Sequence, residues 1–432
     1  MNAKSRSRVS RSEYDKQIAL VLQGGGALGS YQAGVYEALA EQGYQPDWVA
    51  GISIGAINSA IIAGNAPEDR IARLREFWDQ VSSPSAGWLE LPLEVWQDSM
   101  RRLGAMSALM FGQPGFFRPN ILHCWTTGTA PTSYYDTSDL RGTLERLVDL
   151  DRINARETRF SVGAVNVRTG NFAYFDNARQ TIRSEHVMAS GALPPGFPAI
   201  KIDGEFYWDG GLVSNTPLRY ILERVPRRST LTFQVDVFAA QGELPSCLDA
   251  VAEREKDIRY SSRTRMGVET FRYSHNLRRN IAKLLAKLPD SLKNEPEVEF
   301  LNREACQTTM DIVELIYRPT AIQGPSKDYE FLRADMLRRW NQGAERCARF
   351  AGERTLARAG APGCRRAHVR RRFEQTSQGD RQDRRKAVPP RANPKEGHDS
   401  WMRPRSAKRH TQCRSTARLI RPGRTGSLTG ST

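Results

Sequence analysis

The sequence predicts an α/β fold built on a parallel sheet, and three observations carry that prediction. Continuous apolar runs alternate with helical patterns between Ile18 and Gly64. Each of the first two runs ends in small residues that let the chain turn sharply, and further apolar runs recur at 159–167, 171–175 and 231–238. Strand, helix, strand, helix within about fifty residues is the signature of βαβ units.

In chain order, IALVL (Ile18–Leu22) is apolar at every position, as expected of a strand buried on both faces. The segment from Ser30 to Gln42 has helical spacing, with Tyr31, Val35, Ala38 and Leu39 on one side and Gly43 as its stop. DWVAGIS then predicts a second short strand and IGAINSAIIAG a small-residue helix. RFSVGAVNV, NFAYF and LTFQVDVF supply later strands, with the helical segment SEHVMASGA and the Pro-rich loop LPPGFPAI between them. Two insertions stand out: Trp88–Phe117, rich in Trp, Leu, Met and Phe, and the basic amphipathic helix 270–288, which places Leu277, Ile281, Leu284, Leu285 and Leu288 along one stripe. Each is read either as a lid or membrane-docking face or as a cap packed on the core.

The net charge of +16 is confined to the end of the chain. Residues 347–432 hold 22 Lys+Arg against 6 Asp+Glu, and residues 1–346 hold 42 of each sign. The tail lacks apolar periodicity and is expected to be disordered. It fits a polybasic arm for anionic lipid or RNA, a solvated extension, or an out-of-frame translation of the gene's end. The expected division is a basic arm over 1–16, a catalytic domain over 17–240, a helical extension over 241–346 and the tail over 347–432. Six cysteines without a C-x-x-C pair predict neither a metal site nor a disulfide framework. The basic N-terminus has no apolar run behind it, and no stretch of 18 apolar residues occurs, so the expectation is a cytoplasmic protein, with peripheral attachment at the inner membrane or lipid bodies left open.

Gly24, Gly26 and Gly29 satisfy G-x-G-x-x-G, and Asp47 follows at nearly the spacing of a ribose-binding acid. That acid belongs after the second strand, whereas Asp47 precedes it. The place after the strand is taken by Gly51-Ile52-Ser53-Ile54-Gly55, a G-x-S-x-G between a strand and a helix, which is the pattern of a nucleophile elbow. A serine at the second strand's tip makes the Gly24-Gly25-Gly26 turn its neighbour, with bare N–H groups suited to an oxyanion hole. His123, His186 and His275 carry no local signature of a base. Asp209 in FYWDGGLVSNTP is the better candidate, because Gly210 and Gly211 let the chain present a carboxylate from a loop, although Asp-Gly is also a plain turn signal.

Taken together, GGGALG, GISIG, MASGALPPGFPAI and WDGGLVSNTP resemble the patatin-like phospholipase family, in the family's order, over about Gln17 to Ala240. The stretch beyond resembles the helical extension of some bacterial members. The resemblance implies a three-layer α/β/α fold with a mostly parallel sheet, and lipid acyl hydrolysis by a Ser53/Asp209 dyad without cofactor or metal. It makes the 24–29 loop the oxyanion hole. A carboxylate of ordinary pKa is a weak base for serine, so desolvation and the elbow are expected to supply much of the activation. The family's loop usually carries Arg or Lys where this chain has Leu28, which is expected instead to extend an apolar acyl channel. The expected partner is a lipid or membrane-surface substrate. The alternatives are an esterase or thioesterase for small or polyester substrates, and a non-catalytic lipid-binding protein. An NAD-dependent enzyme would retain its nucleotide, and nucleic-acid binding rests on the tail alone.

Overall fold

The computed structural model describes residues 16–82, 104–120, 131–319, 322–352 and 365–367. The basic arm before Lys16, most of the Trp88–Phe117 insertion, His123 and nearly all of the tail lie outside the described residues.

The strands are β1 (Gln17–Leu22), β2 (Trp48–Gly51), β3 (Arg118–Pro119), β4 (Tyr135–Asp136), β5 (Arg159–Asn166), β6 (Phe172–Asp176), β7 (Ile200–Ile202), β8 (Glu205–Asp209), β9 (Thr230–Asp236), β10 (Met310–Ile316) and β11 (Arg365–Ala367). All but β3 and β4 join one sheet in the order β11-β10-β9-β1-β2-β5-β8-β7, with β6 also on β5. From β11 to β5 every neighbour is parallel, and β6, β7 and β8 add antiparallel pairs.

Alternation along β1 shows why helices cover both faces. Ile18, Leu20 and Leu22 enter a large core with α1 (Gly29–Glu41), α2 (Ile54–Ala63) and Trp340. Ala19 and Val21 enter a second core with Leu218, Ile221, Val268 and Phe271 from helices on the opposite face. The α/β/α layering is therefore a direct result of a strand that is apolar at every position.

The part of the chain after residue 240 contributes helices Leu248–Leu285, Pro296–Glu304 and Arg333–Gly352, and it also supplies β10 to the sheet. Helix Arg333–Gly352 crosses α1 so closely that a Cβ on Gly34 would lie 1.9 Å from the Trp340 carbonyl, and one on Gly343 would lie 2.2 Å from that of Tyr31. This helix runs past the compositional break at residue 346, and Cys347 is fully buried.

The leucine stripe predicted on 270–288 packs only in part: Ile281, Leu285 and Leu288 are half-buried. Phe271, His275 and Ala282 are buried, whereas Leu277 is 50% and Leu284 66% exposed. Among the described residues no helix is long and apolar enough to cross a membrane.

Candidate active site

Strand β5 brings the two halves of the site together. Its residues Ser161 and Val162 pair with β2 on one side and β6 on the other, and Ala164 and Val165 pair with β8 and β6. Hence β2 and β8 share one edge of β5 and approach head-on. Gly51 at the end of β2 faces Val162, and Asp209 at the end of β8 faces Ala164, two residues further along.

Beyond Gly51 the chain reverses at Ser53, whose φ of 55° lies in the left-handed region seldom adopted by residues with a side chain. The flanking glycines are required by contact: a Cβ at Gly51 would meet the Gly55 carbonyl at 2.1 Å, and one at Gly55 would meet that of Leu22 at 2.3 Å. The Ser53 N–H donates to the carbonyl and to Oγ of Ser190, both at 3.1 Å, and Ser190 Oγ donates in turn to the Gly163 carbonyl at 2.7 Å. Ser53 sits at the positive end of α2.

Asp209 is buried, its carboxylate accepts the Gly211 N–H at 2.6 Å, and the Ser53 hydroxyl lies beside it. Burial pushes its pKa up to about 7, against the lowering influence of the Gly211 N–H and the Ser53 hydroxyl. The raised pKa has the cause expected for activation of this carboxylate, its withdrawal from water. No cation contributes to this shift.

The glycine turn lies against the same pair. A Cβ on Gly24 would fall 3.1 Å from that of Ser53. Asn215 clamps Gly24 in both directions, accepting its N–H at 3.1 Å through the backbone and donating from Nδ2 to its carbonyl at 3.0 Å. The Gly24 amide is therefore engaged, which corrects the expectation of three free donors. The N–H groups of Gly25 and Gly26 have no partner among the described residues. Gly29 packs on Ile54 and Trp78, and Gly210 packs on the Gly163 carbonyl, so both serve close approach.

Ser53, Asp209 and Gly24–Gly26 open into one cavity of about 300 Å³. Ile57, Leu140, Met188, Phe116 and Phe331 line it, an apolar surround with polar groups gathered about the serine. Leu28 is fully buried in the main core and is not among the lining residues, so the acyl-channel expectation for it is corrected. Its helical turn points it away from the cavity into packing with α1 and α2.

The described histidines do not reach the cavity. His186 is buried beside Phe175 and accepts from the Arg183 N–H, and His275 stacks on Phe271 and bonds to the Thr308 carbonyl. Asp47 accepts from Ile18 N at 2.9 Å, at the start of β1 and the opposite end of the sheet from the serine, as its place in the sequence implies.

Sequence reading did not locate the wall supplied by residues 323–331. The Asp328 carbonyl accepts from Ala27 N at 2.7 Å, and Asp328, Tyr329 and Phe331 line the cavity. Behind them Lys327 pairs with Glu253 and Asp257, and Arg339 pairs with Glu330. No local motif marks these charges; the one legible sign was the amphipathic spacing of Met336, Trp340, Gly343 and Cys347.

A sequence model of a family described as patatin-like phospholipase matches residues 20–222, and a second, described as patatin phospholipase, matches 258–359. Among curated proteins, lysophospholipase nte1 of Aspergillus terreus is 46% identical over 59 residues, 14% of this chain and 4% of that protein. A patatin-like phospholipase domain-containing protein of Caenorhabditis elegans is 33% identical over 106 residues, 24% of this chain and 7% of that protein. The chain thus spans a small fraction of the length of the curated relatives it matches. Among solved structures, VipD from Legionella pneumophila aligns with a TM-score of 0.33 and 15% identity, covering 79% of this chain and 67% of that one. Human GIVD cytosolic phospholipase A2 aligns with a TM-score of 0.32 and 11% identity, covering 79% and 59%.

Proposed function

The chain belongs to the patatin-like phospholipase family, and on that premise we propose that it is a lipid acyl hydrolase that cleaves carboxylic esters through Ser53 and Asp209. The observation that carries this reading is Ser53 beside a buried carboxylate of raised pKa, inside an apolar cavity that also presents two amides without a partner among the described residues.

Ser53 Oγ attacks the ester carbonyl carbon while its proton passes to Asp209. The carbonyl oxygen becomes an oxyanion facing the Gly25 and Gly26 N–H groups, each such donor being typically worth roughly 3 kcal/mol of barrier. The intermediate collapses when the C–O bond to the alcohol breaks and Asp209 returns the proton to the departing oxygen. Water then gives a proton to Asp209 and attacks the acyl carbon; the C–O bond to Ser53 breaks, Asp209 returns the proton to Ser53 Oγ, and the acid is released. A base whose pKa lies near 7 is ionised for much of the time at neutral pH and still holds the serine proton usefully.

The substrate is a lipid whose acyl chain enters the cavity. A volume of about 300 Å³ is at the small end of ligand pockets, which run from roughly 300 to 1,000 Å³, and it favours short and medium chains over long ones. The test is labelling with a fluorophosphonate probe, followed by hydrolysis of phospholipids, lysophospholipids, acylglycerols and short esters with Ser53→Ala as the blank. A folded wild type that stays unlabelled and hydrolyses none of them sinks the reading.

A further inference from the structure

Leu28 leaves the glycine turn without a cation of its own, and a guanidinium from the far end of the chain lies behind it. Arg339 is fully buried, 312 residues away in sequence. It donates to the carbonyls of Lys327 at 3.1 Å and Glu330 at 3.0 Å, reaches the Glu330 carboxylate at 3.4 Å, and approaches the Ala27 carbonyl at 3.5 Å.

The Ala27 carbonyl and the Leu28 N–H belong to one peptide group. That N–H donates to the Gly25 carbonyl at 3.1 Å, and the Gly25 carbonyl shares its peptide group with the Gly26 N–H. A continuous path therefore runs from the guanidinium through two peptide groups to an amide that borders the cavity and has no partner among the described residues. The first link is a long one, 3.5 Å from the guanidinium to the Ala27 carbonyl; a peptide that accepts a hydrogen bond at its oxygen becomes a better donor at its nitrogen, and such chains reinforce themselves in a low-dielectric interior.

We infer that Arg339 is a positioning residue for the oxyanion hole, fixing the turn and polarising the Gly26 N–H through the Ala27–Leu28 and Gly25–Gly26 peptides, in place of a charged side chain at Leu28. The inference rests on the hydrolase reading. The charge acts from behind the turn, touches neither substrate nor Ser53, and strengthens a donor whose load is greatest when the oxyanion forms. Its removal should lower kcat and leave KM in place.

The test compares turnover of a p-nitrophenyl ester by wild type, Arg339→Gln and Arg339→Lys, with thermal melting to establish folding. Glutamine keeps a donor and drops the charge; lysine keeps the charge and drops the fork. Arg339→Gln is expected to lose about tenfold or more in kcat with KM within about twofold, and Arg339→Lys to regain most of it. If Arg339→Gln does not fold, the double variant Arg339→Gln/Glu330→Gln, which leaves no stranded carboxylate, should show the same kcat loss. A folded variant with unchanged kcat, or lysine as impaired as glutamine, overturns the inference and leaves the hydrolase reading intact. Wild type without turnover and with Ser53 unlabelled overturns both.

Discussion

The Ser53 hydroxyl lies beside the Asp209 carboxylate, whose pKa burial has lifted to about 7. Activity, chemistry and pH dependence are therefore governed by one group.

Asp209 must be ionised to take the serine proton, so kcat/KM should rise with pH and level off above an apparent pKa of about 7. A pH–rate profile between pH 5 and 9 on a soluble ester checks this. A limb centred near pH 4 would show that burial does not control the base.

The same burial bears on stability. A carboxyl whose folded pKa exceeds its unfolded value of about 3.9 contributes stability fully present below that value and lost as pH rises through about 7. Asp209→Asn should therefore be inactive yet more stable than wild type at pH 8, with the advantage fading toward pH 4. Urea unfolding at both pH values measures the difference.

Gly26 has a φ of 53°, and a Cβ there would lie 2.1 Å from the Asp328 carbonyl. Gly26→Ala should displace the turn and cost about 100-fold or more in kcat, the scale of losing an oxyanion donor. Gly142, in helix Ser138–Leu147, would place its Cβ in open space, and Gly142→Ala should stabilise the fold by about 0.5–1 kcal/mol with kcat unchanged. Steady-state kinetics and melting curves on the two variants make the contrast.

Lys327 is buried between Glu253 and Asp257, at 3.1 and 2.6 Å. Lys327→Met takes the cation from Asp257 and from Glu253, which keeps the Gln323 and Gly324 N–H groups, and should cost about 3 kcal/mol, read from chemical unfolding. A loss below 1 kcal/mol would mean that these carboxylates find water or another partner.

Where a residue's role is decided by its immediate chain neighbours, the sequence was readable. The apolar run of β1, the glycines around Ser53 and the Asp-Gly-Gly turn each impose a local shape, and the structure brings those three segments to one place. Legibility failed where distant segments decide. Strand β10 reads MDIVELI, and its acids disguise it; Asp311 is accommodated because Lys16 reaches it at 2.7 Å from the other end of the chain. Leu28 was expected in an acyl channel because it stands where the family's loop carries Arg or Lys, yet the helical turn of Gly26–Leu28 places it in the core. Arg339 lies in an arginine-rich helix, and nothing local separates a buried guanidinium from its solvated neighbours.

The head-on meeting of β2 and β8 along β5 makes the site intolerant of length changes. Successive residues of a strand point to opposite faces, so inserting one residue between Tyr207 and Asp209 would turn the carboxylate through the sheet while leaving every hydrogen-bonded rung available. Such a protein would melt almost as wild type and carry no base for Ser53. Insertions should accumulate in the loops entering these two strands and be purged from their tips, a pattern that random insertion libraries sorted first for folding and then for hydrolysis would reveal.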